Sequence, residues 1–133
     1  MRYKRLKSKA HCRFFLVYHV VLVTKYRKPY LKPDVLVQLL AIIPRIAAKY
    51  KVLIPEIAGG ADHVHFLMEL TPQDTPGSVI SILKSKSTSL LLREFSFPYY
   101  GKLSNTLWSS GYFITTCGGA PLSVISNYIK SHS

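Results

Sequence analysis

Apolar side chains run almost without interruption over residues 12–24, dominated by Phe, Val, Leu and Tyr. That is the pattern of a strand covered on both faces and therefore central in its sheet. After the turn signals Pro29 and Pro33, Val35, Leu36, Leu39, Leu40, Ile43 and Ile46 recur at helical spacing and predict a helix with a bend at Pro44. Residues 52–58 are rich in β-branched side chains and predict a strand, Gly59-Gly60-Ala61-Asp62 a turn, and residues 63–70, alternating with period two, the second arm of a hairpin. A loop over 71–77 leads to Ser78 as the predicted N-cap of a second helix. Val79, Leu83, Ser87, Leu90 and Leu91 trace this helix to about Phe95, with Lys84 and Lys86 on its exposed side. Residues 97–111 read as a loop around a buried Trp108, and residues 112–117 as a fourth strand. Gly118-Gly119-Ala120-Pro121 then opens a short amphipathic helix over 120–133, with Pro121 suited to its first turn. The order predicts an α+β fold: a ferredoxin-like (RRM-like) βαββαβ antiparallel sheet with an appended C-terminal helix.

At 133 residues the chain predicts one domain over 1–133, and 48% hydrophobic residues suffice for a core without disulfide staples. Charge changes the picture. Lys plus Arg number 18 against 6 Asp plus Glu, a formal net charge of +12, which in so small a domain points to a polyanionic partner, nucleic acid first. A mean hydropathy of +0.16 beside that charge excludes a disordered basic tail as the whole story. The longest apolar run, 14–23, is far shorter than the ~20 residues of a membrane span, so no membrane role is expected. The basic start before that run looks like a signal peptide, but Thr24-Lys25-Tyr26-Arg27-Lys28 stands where small residues would be cleaved. Cys12 and Cys117 form no C-x-x-C pair and read as two thiols of a reducing compartment, so a cytoplasmic location is expected.

Period-two alternation puts His63, His65, Leu67 and Glu69 on one face of their strand and Val64, Phe66, Met68 and Leu70 on the other. Two imidazoles two residues apart on a strand can converge on one metal ion; they can equally be structural histidines bonded near a turn. Asp62 reads first as a turn residue and second as a partner that orients an imidazole. Near the end of the chain Tyr128 and His132 stand at i, i+4 on one helical stripe. Tyr128 is either a core tyrosine or a phenol able to attack a metal-bound phosphate, and His132 either a third ligand or a solvated terminal histidine.

Six basic residues, Arg2, Lys4, Arg5, Lys7, Lys9 and Arg13, lie in the first 13 positions, and Lys25, Arg27, Lys28 and Lys32 follow the first strand. With Tyr3, Tyr26 and Tyr30 interleaved, they combine charges for phosphates with rings for unpaired bases, as single-strand binding requires. The expectation is a basic arm over 1–11, mobile until DNA orders it, and a second cluster (Lys25, Tyr26, Arg27, Lys28) nearer the site.

Four segments carry a family resemblance: Tyr18-His19-Val20-Val21 running into Lys25-Tyr26-Arg27; Asp62-His63-Val64-His65; Leu107-Trp108 followed by Tyr112-Phe113-Ile114; and Gly118-Gly119-Ala120-Pro121-Leu122 leading to Asn127-Tyr128-Ile129. In these the sequence resembles the single-tyrosine HUH-type transposases of small bacterial and archaeal insertion sequences (IS200/IS605-like). The resemblance implies metal-dependent cleavage and rejoining of single-stranded DNA, with His63 and His65 as ligands of a divalent ion (Mg or Mn). It implies Tyr128 as the nucleophile, giving a 5′-phosphotyrosine and a free 3′-OH. It further implies DNA hairpins at the element's ends as substrate, and a homodimer in which the tyrosine helix completes the partner's histidine pair, Gly118 and Gly119 serving as its hinge. Where members of the family often carry Gln four residues after the tyrosine, this chain has His132, a ligand that would favour manganese over magnesium. Two rival classes share the scaffold or the motif: a non-catalytic RNA- or single-strand-binding module, and a relaxase-like nickase.

Overall fold

The computed structural model describes residues 7–9, 12–94 and 107–116, those before Phe14 by their backbone. Tyr128, His132, Gly118, Gly119 and Arg5, with the predicted helix over 120–133, lie outside the described residues, and Arg13 is described by its backbone alone.

Strand β1 (Lys7–Lys9) pairs antiparallel with β2 (Cys12–Phe14) as a two-stranded sheet of its own, so three residues of the expected basic arm belong to a ladder. The single strand expected over 12–24 is therefore two, β2 and β3 (Leu16–Val23), because the chain changes partners at Phe15. Then follow α1 (Pro33–Lys49), β4 (Leu53–Gly60), β5 (His63–Leu70), α2 (Pro76–Glu94) and β6 (Phe113–Thr116). The main sheet has the order β4-β5-β3-β6, and all three of its strand pairs are antiparallel. Reading β3-α1-β4-β5-α2-β6 along the chain, this is the predicted βαββαβ arrangement.

Both helices cover one face of the sheet. Val35, Leu39 and Ile43 of α1 and Ile80, Leu83 and Leu91 of α2 bury against Val20 and Leu22 of β3 and Val64, Phe66 and Met68 of β5. The alternation of β5 thus assigns its apolar set to the helices. Helix α1 runs through Pro44 without interruption. Helix α2 starts two residues before the predicted cap: Pro76 takes the first helical position, where its missing N–H costs nothing, and the Thr75 carbonyl accepts from Val79 N–H at 3.1 Å. Trp108 is buried, and its indole N–H donates to Ser87 Oγ at 3.0 Å, tying the segment before β6 to α2. Lys84, expected on the exposed side, instead reaches Ser110 O at 3.1 Å and stands 5.9 Å over the Tyr112 ring, a second fastening of the same segment.

The turn between β4 and β5 is narrower than predicted. Gly59 and Gly60 belong to β4, and only Ala61 and Asp62 make the reversal. The glycines are required by approach rather than by turning: a Cβ on Gly59 would stand 2.6 Å from the His63 carbonyl oxygen and 2.9 Å from Val64 Cγ1.

Candidate functional site

The face of the sheet turned away from the helices carries the polar residues. Register sets His63 opposite Val23 and Gly60, His65 opposite Val21 and Ala58, and Leu67 opposite His19, so all three histidines share that face. On the β4 side the cross-strand partners of His63 and His65 are the two smallest side chains available, which leaves room for both rings. The imidazoles stack with centroids 5.6 Å apart and planes 16° from parallel. A Cβ on Gly60 would stand 3.0 Å from His63 Cε1, so the glycine is the floor on which that ring lies.

His65 is 2% exposed, and neither of its ring nitrogens has a hydrogen-bond partner among the described residues; the same holds for Nε2 of His63. Burial first, and the neighbouring imidazoles of His63 and His19 second, push the pKa of His65 down to about 4. It is therefore a neutral imidazole at physiological pH, the form that binds metal.

Asp62 is more than a turn residue. Its Oδ1 lies 2.9 Å from His63 Nδ1 and its Oδ2 3.3 Å from Arg27 Nη2. The bond to His63 chiefly, with Arg27 adding its hydrogen bond and charge, holds the Asp62 carboxyl below the usual carboxylate range. An ionised carboxylate only accepts, so Nδ1 of His63 is the donor in this contact.

The basic cluster predicted after the first strand adjoins this pair. Lys25–Arg27 forms one 3-10 turn in which Tyr26 (φ 60°) and Arg27 (φ 54°) both occupy the left-handed region, uncommon for residues with a side chain. Thr24 anchors the turn: its N–H donates to Asp62 O at 2.9 Å and its hydroxyl to Lys28 O at 2.7 Å, while Lys25 N–H donates to Leu107 O at 3.0 Å. The bend aims Arg27 at Asp62 and leaves the Tyr26 ring 76% exposed. Beside it, Lys28, Pro29, Tyr30 and Lys32 line an open cleft of about 320 Å³.

The unpartnered Nε2 of His63 beside the buried, neutral imidazole of His65 fits a borderline divalent cation. Among the described residues no group of three or more His, Cys, Asp or Glu side chains could hold a metal, so further ligands would come from outside them. Sequence reasoning missed the roles of Gly60 and of His19. His19 is 2% exposed, meets Phe113 edge-on at 6.1 Å, and sits inside an apolar run where only the strand register reveals its face.

The family model described as "Transposase IS200 like" matches residues 12–132. The chain belongs to this family. It is 31% identical over 124 residues to the transposase for insertion sequence element IS200 of Salmonella typhimurium, covering 93% of this chain and 81% of that one. To the ISDra2 transposase TnpA of Deinococcus radiodurans it is 28% identical over 116 residues, covering 87% and 83%. The crystal structure of a Deinococcus radiodurans protein assigned as a transposase superposes with a TM-score of 0.78 at 26% identity, covering 94% of this chain and 96% of that one. A REP-associated tyrosine transposase solved bound to a REP hairpin shares the fold, with a TM-score of 0.56 at 14% identity over 92% and 68% of the chains. This IS200-like transposase has, among its described residues, no helix long and apolar enough to cross a membrane.

Proposed function

We propose that this transposase cleaves and rejoins single-stranded DNA through a 5′-phosphotyrosine on Tyr128, with His63 and His65 holding a divalent cation and His132 as a further ligand. The observation that carries the reading is the stacked His63–His65 pair, its ring nitrogens Nε2 of His63 and both of His65 without partners among the described residues, on the sheet face opposite α1 and α2 of an IS200-like transposase. When bound, the cation (Mg or Mn) would neutralise charge on the scissile phosphate and favour ionisation of the attacking group.

The Tyr128 phenol loses its proton and its oxygen attacks phosphorus; the bond from phosphorus to the 3′ oxygen breaks, and that oxygen gains a proton to leave as a 3′-OH. One phosphodiester is exchanged for another of comparable energy, so a second 3′-OH can reverse the step and join new ends without ATP. Lys25, Arg27 and Lys28 follow the phosphates while Tyr26, already turned outward, stacks on an unpaired base. Arg5 and Arg13 extend that track. The substrate is a hairpin-bearing single strand, a reading supported by the REP hairpin in the distant relative. The active form is a homodimer in which Gly118 and Gly119 let the tyrosine helix swing to the partner's histidine pair. The compartment is the cytoplasm.

A denaturing gel tests the chemistry. With a hairpin-flanked single strand and Mn²⁺, the wild type is expected to form a covalent adduct that disappears in Tyr128→Phe, and an equally abundant adduct in that variant removes Tyr128 from the role. His63→Ala is expected to abolish the adduct while keeping most DNA affinity, since phosphate contacts come from Lys and Arg.

A further inference from the structure

Most of the site is built to hold one ring still. His63 is fixed from three directions: Gly60 lies beneath it, His65 is stacked 5.6 Å away, and Asp62 Oδ1 holds Nδ1 at 2.9 Å. Asp62 is itself held. Its backbone carbonyl accepts from Thr24 N–H at 2.9 Å and its second carboxylate oxygen meets Arg27 at 3.3 Å. The Asp62 side chain is 28% exposed and Arg27 75%, so the chain of contacts runs from the solvent-facing basic turn inward to a ring only 17% exposed.

We propose that Asp62, steadied by Arg27, is a positioning residue that locks His63 in the Nδ1–H tautomer and so presents Nε2 to the cation. An unrestrained neutral imidazole exchanges between its two tautomers, and only the one with a bare Nε2 can ligate through that atom. A carboxylate on the other nitrogen selects the tautomer, fixes the ring plane and raises the basicity of the ligating atom. Tyr26 and Arg27 hold the left-handed backbone that brings the guanidinium to Asp62 at a cost in local conformation, as expected where a contact is built for use. The inference deepens the cation reading above and rests on it for its consequence, while the tautomer itself is a property of the metal-free protein.

The test therefore has two arms on the full chain. Long-range ¹⁵N–¹H correlation spectra of the metal-free protein at pH 7.5 are expected to show His63 as the Nδ1–H tautomer in the wild type. In Asp62→Ala the signal is expected to move toward the mixture seen for free imidazole, with Asp62→Asn in between. Titration with Mn²⁺, followed by its electron paramagnetic resonance signal, is expected to show affinity falling about ten- to hundredfold in Asp62→Ala and less in Asp62→Asn. Arg27→Gln, which leaves the carboxylate in place, is expected to cost about threefold or less, as an exposed ion pair should. Thermal unfolding of each variant checks that the fold is kept. An unchanged His63 tautomer in a folded Asp62→Ala protein overturns the proposal, as does Mn²⁺ affinity within twofold of wild type. Failure of the wild type itself to bind Mn²⁺ overturns the cation reading, and the tautomer spectra then decide the positioning role alone.

Discussion

The sheet presents two faces made by the same strands. On the helix side Val20, Leu22, Val64, Phe66 and Met68 are each fully buried and carry no polar atom in their side chains. On the other side, at the alternating positions of those strands, stand His19, His63, His65 and Glu69. One residue of sequence separates the two environments throughout β5. Folding energy comes from the first set, where burial of each large side chain contributes about 1.5 to 3 kcal/mol. The second set accepts an energetic cost: His65 is buried with both nitrogens unpartnered among the described residues. Parity therefore sorts His63 and His65 from Val64 and Phe66, while Leu67 on the histidine face is itself fully buried, and substitutions at the neighbouring positions 65 and 66 should have opposite signatures.

The largest effect is expected on the helix side. Phe66→Ala empties a fully buried site between sheet and helices and should destabilise the protein by about 3 to 5 kcal/mol in urea unfolding, enough to threaten folding. His65→Leu, one position away, should stay within about 1 kcal/mol of wild type in metal-free protein near pH 7, because an apolar side chain replaces a buried ring with unmet polar atoms. It should nevertheless lose Mn²⁺ binding. Comparable destabilisation by the two variants would erase the distinction between the faces.

Acid sharpens the contrast at a smaller scale. The pKa of His65 is about 4 in the folded chain against 6.5 for the free side chain, so between those values the unfolded chain binds the proton and the folded one does not. Stability from this group is present above pH 6.5 and is lost as pH falls toward 4, by no more than about 3 kcal/mol. Unfolding midpoints from pH 7.5 to 4.5 should fall more steeply for metal-free wild type than for His65→Leu. Parallel curves would mean that the imidazole is not desolvated.

Much of this was readable beforehand. The period of residues 63–70 assigned both histidines to one face, and helical spacing around Leu39 and Leu83 placed the two helices, because side-chain direction in regular elements follows from sequence parity and pitch. The basic cluster after the first strand was readable, and so was its place nearer the site; the contact of Arg27 with Asp62 was not, since the two are 35 residues apart and meet only through strand register and a left-handed turn. The division of the first apolar run into β2 and β3 was hidden for the same reason, as pairing partners are not a local property. Asp62 and Gly60 looked like turn residues because turns and ring-holding sites draw on the same small and acidic side chains.

At the two glycines the faces diverge within one dipeptide, and the smallest expected change in stability is at Gly60. Gly59 pairs with Val64, and its missing side chain would meet the His63 carbonyl at 2.6 Å and the fully buried Val64 Cγ1 at 2.9 Å, backbone and packed core that cannot easily step aside. Gly59→Ala should therefore cost about 1 to 3 kcal/mol of stability through overpacking. Gly60 pairs with His63, and an added methyl meets only that ring, at 3.0 Å from Cε1, so the imidazole must yield by a few tenths of an ångström. Gly60→Ala should change stability by less than about 1 kcal/mol, because overpacking relieved by one movable ring costs little. Displacing the ring from the plane that Asp62 selects should weaken Mn²⁺ binding severalfold all the same. Equal losses of stability with unchanged Mn²⁺ affinity in both variants would show that Gly60 is strand packing and nothing more.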